Sequence, residues 1–261
     1  MNSNLPVGVF DSGVGGLSIL EKIHHLLPAE DLIYMADSAH APYGPKGDEF
    51  IIQRSRHILE FFDRQPVKAV VVACNTATAA AVAMLRHENT IPIIGMEPAI
   101  KPAAEKSQSG VIGVLATEGT LASDKFVDLK SRFDGQVEII TQPCPGLVEQ
   151  LEQVSPDFAA ITALLQEYIP PLLARDADML VLGCTHYTFI TEQIREVAGS
   201  HIAIVDTDDA VARRLASILE DNDLLCATGG KLSFFSNGDL EKQQQLLSRC
   251  WGSEVKIEGF G

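Results

Sequence analysis

Positive charge is scarce in this chain: Lys and Arg number 20 against 35 Asp and Glu, for a net charge of −15 and a pI near 4.8. No basic run or stripe appears, which excludes a surface built to read a phosphate backbone, so no nucleic-acid partner is expected. An acidic surface sets no bar to a small anion, provided the pocket itself presents donors. Long apolar runs are also missing. None approaches the roughly 20 residues needed to cross a bilayer, so no membrane partner is expected either. The opening MNSNLPVGVF has no basic region followed by a long apolar one, and a secretory leader is not expected. Cysteine is sparse: five residues, irregularly spaced and odd in number, make a poor disulfide framework and point to free thiols in a reducing cytoplasm. The sequence lacks a Gly-Lys-Ser/Thr phosphate loop, a complete GxGxxG and a pyridoxal-type lysine motif. Cys184-x-His186 has no second ligand pair to complete a metal site. Neither a metal nor a cofactor is expected.

What is present is globular: 46% hydrophobic and 21% charged over 261 residues, long for one compact domain and comfortable for two. Apolar runs recur at VGVF (7–10), DLIYMA (31–36), KAVVVA (68–73), IPIIGM (91–96), VIGVLA (111–116), VEIIT (137–141), MLVLG (179–183) and IAIVD (202–206). They are rich in Val and Ile without polar alternation, as parallel strands covered on both faces should be. Segments of helical period lie between them, notably 49–63, 157–176 and 209–221. This alternation predicts an α/β fold with parallel sheets flanked by helices.

The text also repeats itself. GVFDSGVGG (8–16) is echoed by GVLATEGT (113–120), so Gly113 follows Gly8 by 105 positions, and Cys184 follows Cys74 by 110. Two offsets so close predict a duplicated lobe: residues 1–96 with 207–261 forming one lobe, 97–206 the other, related by a pseudo-twofold with a cleft between them. The segment KLSFFSNGDL (231–240) would return to the first lobe.

The paired cysteines carry most of the chemistry. VVVACNTATA and LVLGCTHY each place a cysteine where a buried strand hands over to a helix, and a thiolate there gains from the helix dipole and nearby amides, which lowers its pKa toward neutrality. One such cysteine is ordinarily a small buried hydrophobe. Two in matched settings suggest two equivalent groups acting on one substrate, as inversion of a stereocentre requires. A Cys–His–acid hydrolase would leave Cys74 without a role. Asn75-Thr76 and Thr185-His186 could cap the helices or bind a carboxylate, and His186 could hydrogen-bond a thiol. In DSGVGG (11–16) the glycines permit a tight turn whose amides could receive a carboxylate, although a plain strand-to-helix turn has the same pattern. Asp11 stands at the C-terminal edge of a parallel strand, where α/β proteins place ligands. Pro42-Tyr43-Gly44 reads as a turn projecting an aromatic hydroxyl and a free amide, or as a structural turn only. Glu149 and Glu152 are i,i+3 neighbours that could share a face, or could simply be solvated. Cys144, Cys226 and Cys250 lie in no motif.

With DSGVGG, ADSAHAPYG, VVVACNTATA, GVLAT and LVLGCTHY in this order, the chain resembles the glutamate racemases of the aspartate/glutamate racemase superfamily, from Val7 to about Asp208. The resemblance implies a cofactor-independent amino-acid racemase with its site in the cleft, glutamate as small-molecule partner, and D-glutamate supplied for peptidoglycan. It implies Cys74 and Cys184 as the two acid/base residues, Cys74 serving the D-isomer and Cys184 the L-isomer. Asp11, Ser12, Tyr43, Gly44, Asn75, Thr76, Thr117, Thr185 and His186 would bind substrate. Asp11 would act around Cys74, and His186 with an acidic residue around Cys184; Glu152 matches that acid best, with Glu149 close by. A homodimer is the expected assembly, although nothing in the sequence fixes it. A racemase for aspartate or another amino acid, or a binding module for a dicarboxylic amino acid, would share the same motifs.

Overall fold

Each of the eight apolar runs forms a strand, and the reason is visible in what each side chain touches. The computed structural model describes residues 2–260. Strands β1 (Val7–Asp11), β2 (Leu32–Ala36), β3 (Ala69–Val72) and β4 (Ile93–Ile94) are followed by β5 (Val111–Ala116), β6 (Glu138–Pro143), β7 (Met179–Gly183) and β8 (Ala203–Val205). Along β1, Val7 and Val9 enter one apolar cluster and Phe10 another; along β3, Ala69 and Val71 join the first and Val70 and Val72 the second. In the second half, Leu180 and Leu182 of β7 face one core while Met179 and Val181 face its opposite. A strand buried on both faces has no polar side to show, which is why the runs lack alternation.

Two further strands, β9 (Leu232–Ser236) and β10 (Ile257–Gly259), join the first sheet. β9 pairs parallel with β2 and brings the 231–240 segment back to the first lobe. β10 was not foreseen: it is a three-residue edge strand with half-exposed and exposed side chains, so it carries no apolar signal. The helical stretch 157–176 is split into Phe158–Tyr168 and Pro170–Leu173, because Pro170 and Pro171 cannot donate to the preceding turn. Helices Asp48–Arg64 and Asp208–Asp221 lie within a residue of their expected ends. Among the described residues no helix is long and apolar enough to cross a membrane.

All neighbouring strands pair parallel, giving a six-stranded sheet in the order β10-β9-β2-β1-β3-β4 and a four-stranded sheet β6-β5-β7-β8. The inner order β2-β1-β3-β4 of the first matches β6-β5-β7-β8 of the second, so the repeat in the text is a repeat of topology. In each sheet the order reverses between the first and third strands of the unit, opening a crevice beyond their C-terminal ends. Asp11 and Cys74 stand at this crevice in the first sheet, Thr117 and Cys184 in the second.

Candidate active site

Cys74 follows β3 and is the N-cap of the helix Asn75–Glu88, with extended backbone (φ −134°, ψ 122°). Its sulfur accepts the Ala77 N–H at 3.4 Å and its thiol donates toward the Ser12 hydroxyl at 3.8 Å. Capping therefore falls to the thiol itself rather than to Asn75 or Thr76. The expected drop in thiol pKa does not occur. Burial pushes Cys74 up from 9.0 to about 12, the Asp11 charge adds to this, and the Ala77 amide and Ser12 only partly oppose it. One long amide contact cannot replace the water that burial removes.

Cys184 occupies the matching position after β7, again extended (φ −145°, ψ 132°), before the 3₁₀ turn Thr185–Ile190. Its surroundings differ. His186 Nδ1 lies 3.8 Å from the Cys184 sulfur, and His186 Nε2 is 2.6 Å from Glu152 Oε1. Burial disfavours the charged imidazolium, but hydrogen bonds to Cys184 and Glu152 outweigh it and hold His186 well above its usual range. Glu152, His186 and Cys184 form a relay, whereas Glu149 points to an exposed position beside Gly44, Thr117 and Cys144. The two acids do not share a face, because Glu152 falls on the C-cap of the short helix Leu147–Leu151 and turns away.

The two halves are stitched together at this point. Val14 N–H donates to Glu152 Oε1 at 2.9 Å, and the Thr185 hydroxyl donates to Asp11 Oδ2 at 3.2 Å. Asp11 Oδ1 accepts the Gly13 N–H at 2.7 Å, and Tyr34 donates to the Gly13 carbonyl at 2.8 Å. Full burial raises the Asp11 carboxyl from 3.8 to about 6, against the lowering influence of His186 and the Gly13 amide. Within the DSGVGG loop the Gly13 and Val14 amides already serve Asp11 and Glu152. The loop's glycines answer to close approach. A Cβ on Gly13 would stand 1.9 Å from Glu152 Oε1, and one on Gly15 would stand 2.3 Å from His186 Nδ1.

A second bridge consists of hydroxyls. Thr76 Oγ1 lies 3.0 Å from Thr117 Oγ1 and 3.2 Å from Thr120 Oγ1. Gly44 reaches the same place, since a Cβ there would meet Thr117 at 3.0 Å. Asn75, only 3% exposed, keeps both carboxamide atoms without a partner among the described residues. Tyr43 corrects the reading of its turn. Its ring is buried and its hydroxyl donates to Asp37 Oδ2 at 2.5 Å rather than projecting outward. Asp37 also accepts Arg54 through Nε (2.9 Å) and Nη2 (2.7 Å), and Asn237 Nδ2 at 2.6 Å. Burial raises the Asp37 carboxyl, but Arg54, Tyr43 and His40 together hold it below its usual value. Asp37, Tyr34 and Thr120 escaped the sequence reading, although Asp37 directly follows β2 and gave the same strand-end cue that singled out Asp11. A cavity of about 50 Å³, lined in part by Gly44, Thr117, Cys144 and Glu149, has room for a few waters. Cys74 and Cys184 are only 6% and 8% exposed.

The model of the Asp/Glu/Hydantoin racemase family matches residues 7–215. The chain belongs to this family. A glutamate racemase of Pseudomonas putida is 50% identical over 257 residues, 98% of this chain and 97% of that one. A solved glutamate racemase of Bacillus anthracis superposes with a TM-score of 0.87 at 32% identity, covering 98% and 97% of the two chains. The Escherichia coli glutamate racemase, solved with L-glutamate and the activator UDP-MurNAc-Ala, gives 0.85 at 32% identity, covering 98% of each chain. The family match takes in every candidate residue from Asp11 to His186. It stops short of β9, of β10 and of the helix Leu240–Trp251.

Proposed function

We propose that this protein racemises glutamate by a two-base exchange between Cys74 and Cys184, without a cofactor. The observation that carries the reading is the pair of buried thiols at equivalent strand ends of two topologically matched sheets, each with its own polar partners. The names of the relatives, and the L-glutamate in the Escherichia coli structure, supply the substrate.

One cysteine, as thiolate, takes the α-proton; the other, as thiol, returns a proton to the opposite face. Each turnover leaves the two sulfurs with their protonation exchanged, and the substrate need not rotate. His186, backed by Glu152, is placed to hold the Cys184 proton, while Ser12 and the Asp11 charge act on Cys74. The α-proton is very weakly acidic, so donors preset around the carboxylate must stabilise the charge that develops. Asn75 is the chief candidate, because its buried, unpartnered carboxamide leaves a donor and an acceptor free for the amino acid. Thr76, Thr117 and Thr185 border the same crevice, and Tyr43 acts by fixing the Gly44 turn. By resemblance Cys74 serves D-glutamate and Cys184 L-glutamate, the product D-glutamate going to peptidoglycan. Two reduced thiols are essential to this scheme, which favours a reducing cytoplasm. The lobe limits fit the same picture: sheet membership changes between Ile94 and Val111 and again between Val205 and Leu232, consistent with lobes of 1–96 plus 207–261 and 97–206.

The test is circular dichroism of the purified protein with L-glutamate or L-aspartate and no added cofactor. Optical activity should decay to zero with glutamate and persist with aspartate. Decay with aspartate alone would identify a different racemase, and no decay with bound glutamate would indicate a binding module.

A further inference from the structure

The helix Leu240–Trp251 packs on the first lobe, through Leu246 and Leu247, yet its last turn reaches the second. Arg249 Nη2 donates to the carbonyl of Leu151 at 2.8 Å. Leu151 ends the short helix Leu147–Leu151, so its carbonyl is one of those a helix terminus leaves without an internal partner. A cation there also meets the negative end of the helix dipole. The next residue is Glu152, whose Oε1 receives both Val14 N–H and His186 Nε2. Two neighbours of this turn, Val154 and Phe189, pack against the same first-lobe core as the C-terminal helix. Cys250, beside Arg249, lies close enough to His186 and Glu152 for their charges to act on its thiol.

We infer that Arg249 is a positioning residue for the second base: it fixes the turn carrying Glu152, and through Glu152 the direction in which His186 faces Cys184. The inference rests on the two-base reading above. Arg249 is exposed, so its charge alone contributes little. Its contribution is geometric. Misplacing a catalytic group by 1 Å can cost about 100-fold in rate, and without Arg249 the Glu152 side chain is held by the Val14 and His186 bonds while its backbone N–H keeps the Val148 carbonyl at 2.9 Å.

The experiment is a double-mutant cycle on the full chain with L-glutamate: Arg249→Met and Arg249→Lys, each alone and combined with Glu152→Gln. Arg249→Met should lower kcat about tenfold with KM within about twofold, and Arg249→Lys should recover most of the loss. On the Glu152→Gln background Arg249→Met should change kcat by less than about twofold, and each single variant should displace the kcat pH profile in the same direction. Losses that multiply in the double variant, an unmoved pH profile, or a kcat equal to wild type would each overturn the role of Arg249. Should Arg249→Met fail to fold, Arg249→Gln carries the same cycle under the same criteria. A wild-type protein that does not racemise glutamate would overturn the functional reading instead, so the two failures are distinguishable.

Discussion

Replacing Asp11 with asparagine should stabilise the folded protein, and by an amount that grows with pH. The Asp11 carboxyl is fully buried and is raised from 3.8 to about 6, with burial the largest cause. Each pKa unit is worth about 1.4 kcal/mol between the two protonation states. Well below pH 3.8 the group is protonated in both the folded and unfolded chain, and its burial carries no ionisation penalty. As the pH climbs from there through 6, the unfolded chain ionises first and binds fewer protons than the native one, so stability falls. The loss is about 1 kcal/mol near pH 4.5 and about 3 kcal/mol near pH 8. Asparagine keeps an oxygen for the Gly13 N–H and has nothing to ionise. Relative to wild type, Asp11→Asn should therefore gain about 2 kcal/mol more at pH 8 than at pH 4.5. Urea denaturation of both proteins at the two pH values, with slopes compared so that a change in the unfolded state is recognised, measures this difference directly. A stability difference that stays constant with pH would refute the reasoning. The same variant should lose racemase activity, because the charge acting on Cys74 and Thr185 is gone; retention of a destabilising acid at this position is a compromise between stability and function.

Gly15→Ala should destabilise the contact between the lobes by about 1–3 kcal/mol, since its Cβ would stand 2.3 Å from His186 Nδ1 and 2.5 Å from Thr185 Oγ1; a melt unchanged from wild type would show that the close approach is absent in solution. Glu152→Gln removes a carboxylate partner that raises the His186 pKa, so the imidazole should titrate at lower pH, followed by NMR of the histidine ring; an unmoved titration would break the relay. Raising the pH should lower stability above about 9, as the Cys74 thiol ionises in the unfolded chain before it does in the native one at about 12. Cys74→Ser should reduce that slope without abolishing it, because burial raises Cys144 from 9.0 to about 12 as well, and calorimetric melts at pH 8 and about pH 10 of wild type and variant measure the share that Cys74 contributes.

The strands were legible because a doubly buried strand must be apolar throughout, and the crossover between them demands a helix. Strand-end chemistry was legible for a related reason: Asp11, Cys74 and Cys184 each stand where a run of Val and Ile stops. Partnerships across the lobes were not. Glu152 meets Val14 at a separation of 138 residues and Thr185 meets Asp11 at 174, and local sequence carries no record of such a meeting. Tyr43 was misdirected for the same reason, since Asp37 and the Arg54 and Asn237 beside it come from three separate elements. The thiol pKa went astray because a helix N-terminus is visible in sequence whereas the depth of burial is not. Arg249 and β10 lie in a C-terminal region that matches no motif, and only the folded chain shows what they touch.

The central claim is that each thiol owns one face of the α-carbon. By symmetry the equilibrium constant between enantiomers is one, so kcat/KM in the two directions must fall together in any variant, and racemisation rates alone cannot assign a face. Exchange of the α-proton in deuterated water can. The account predicts that Cys74→Ser abolishes racemisation while still exchanging the α-proton of L-glutamate, and that Cys184→Ser does so with D-glutamate only. Racemisation surviving in either variant at near-normal rate, or exchange of both enantiomers by a single remaining cysteine, would contradict it.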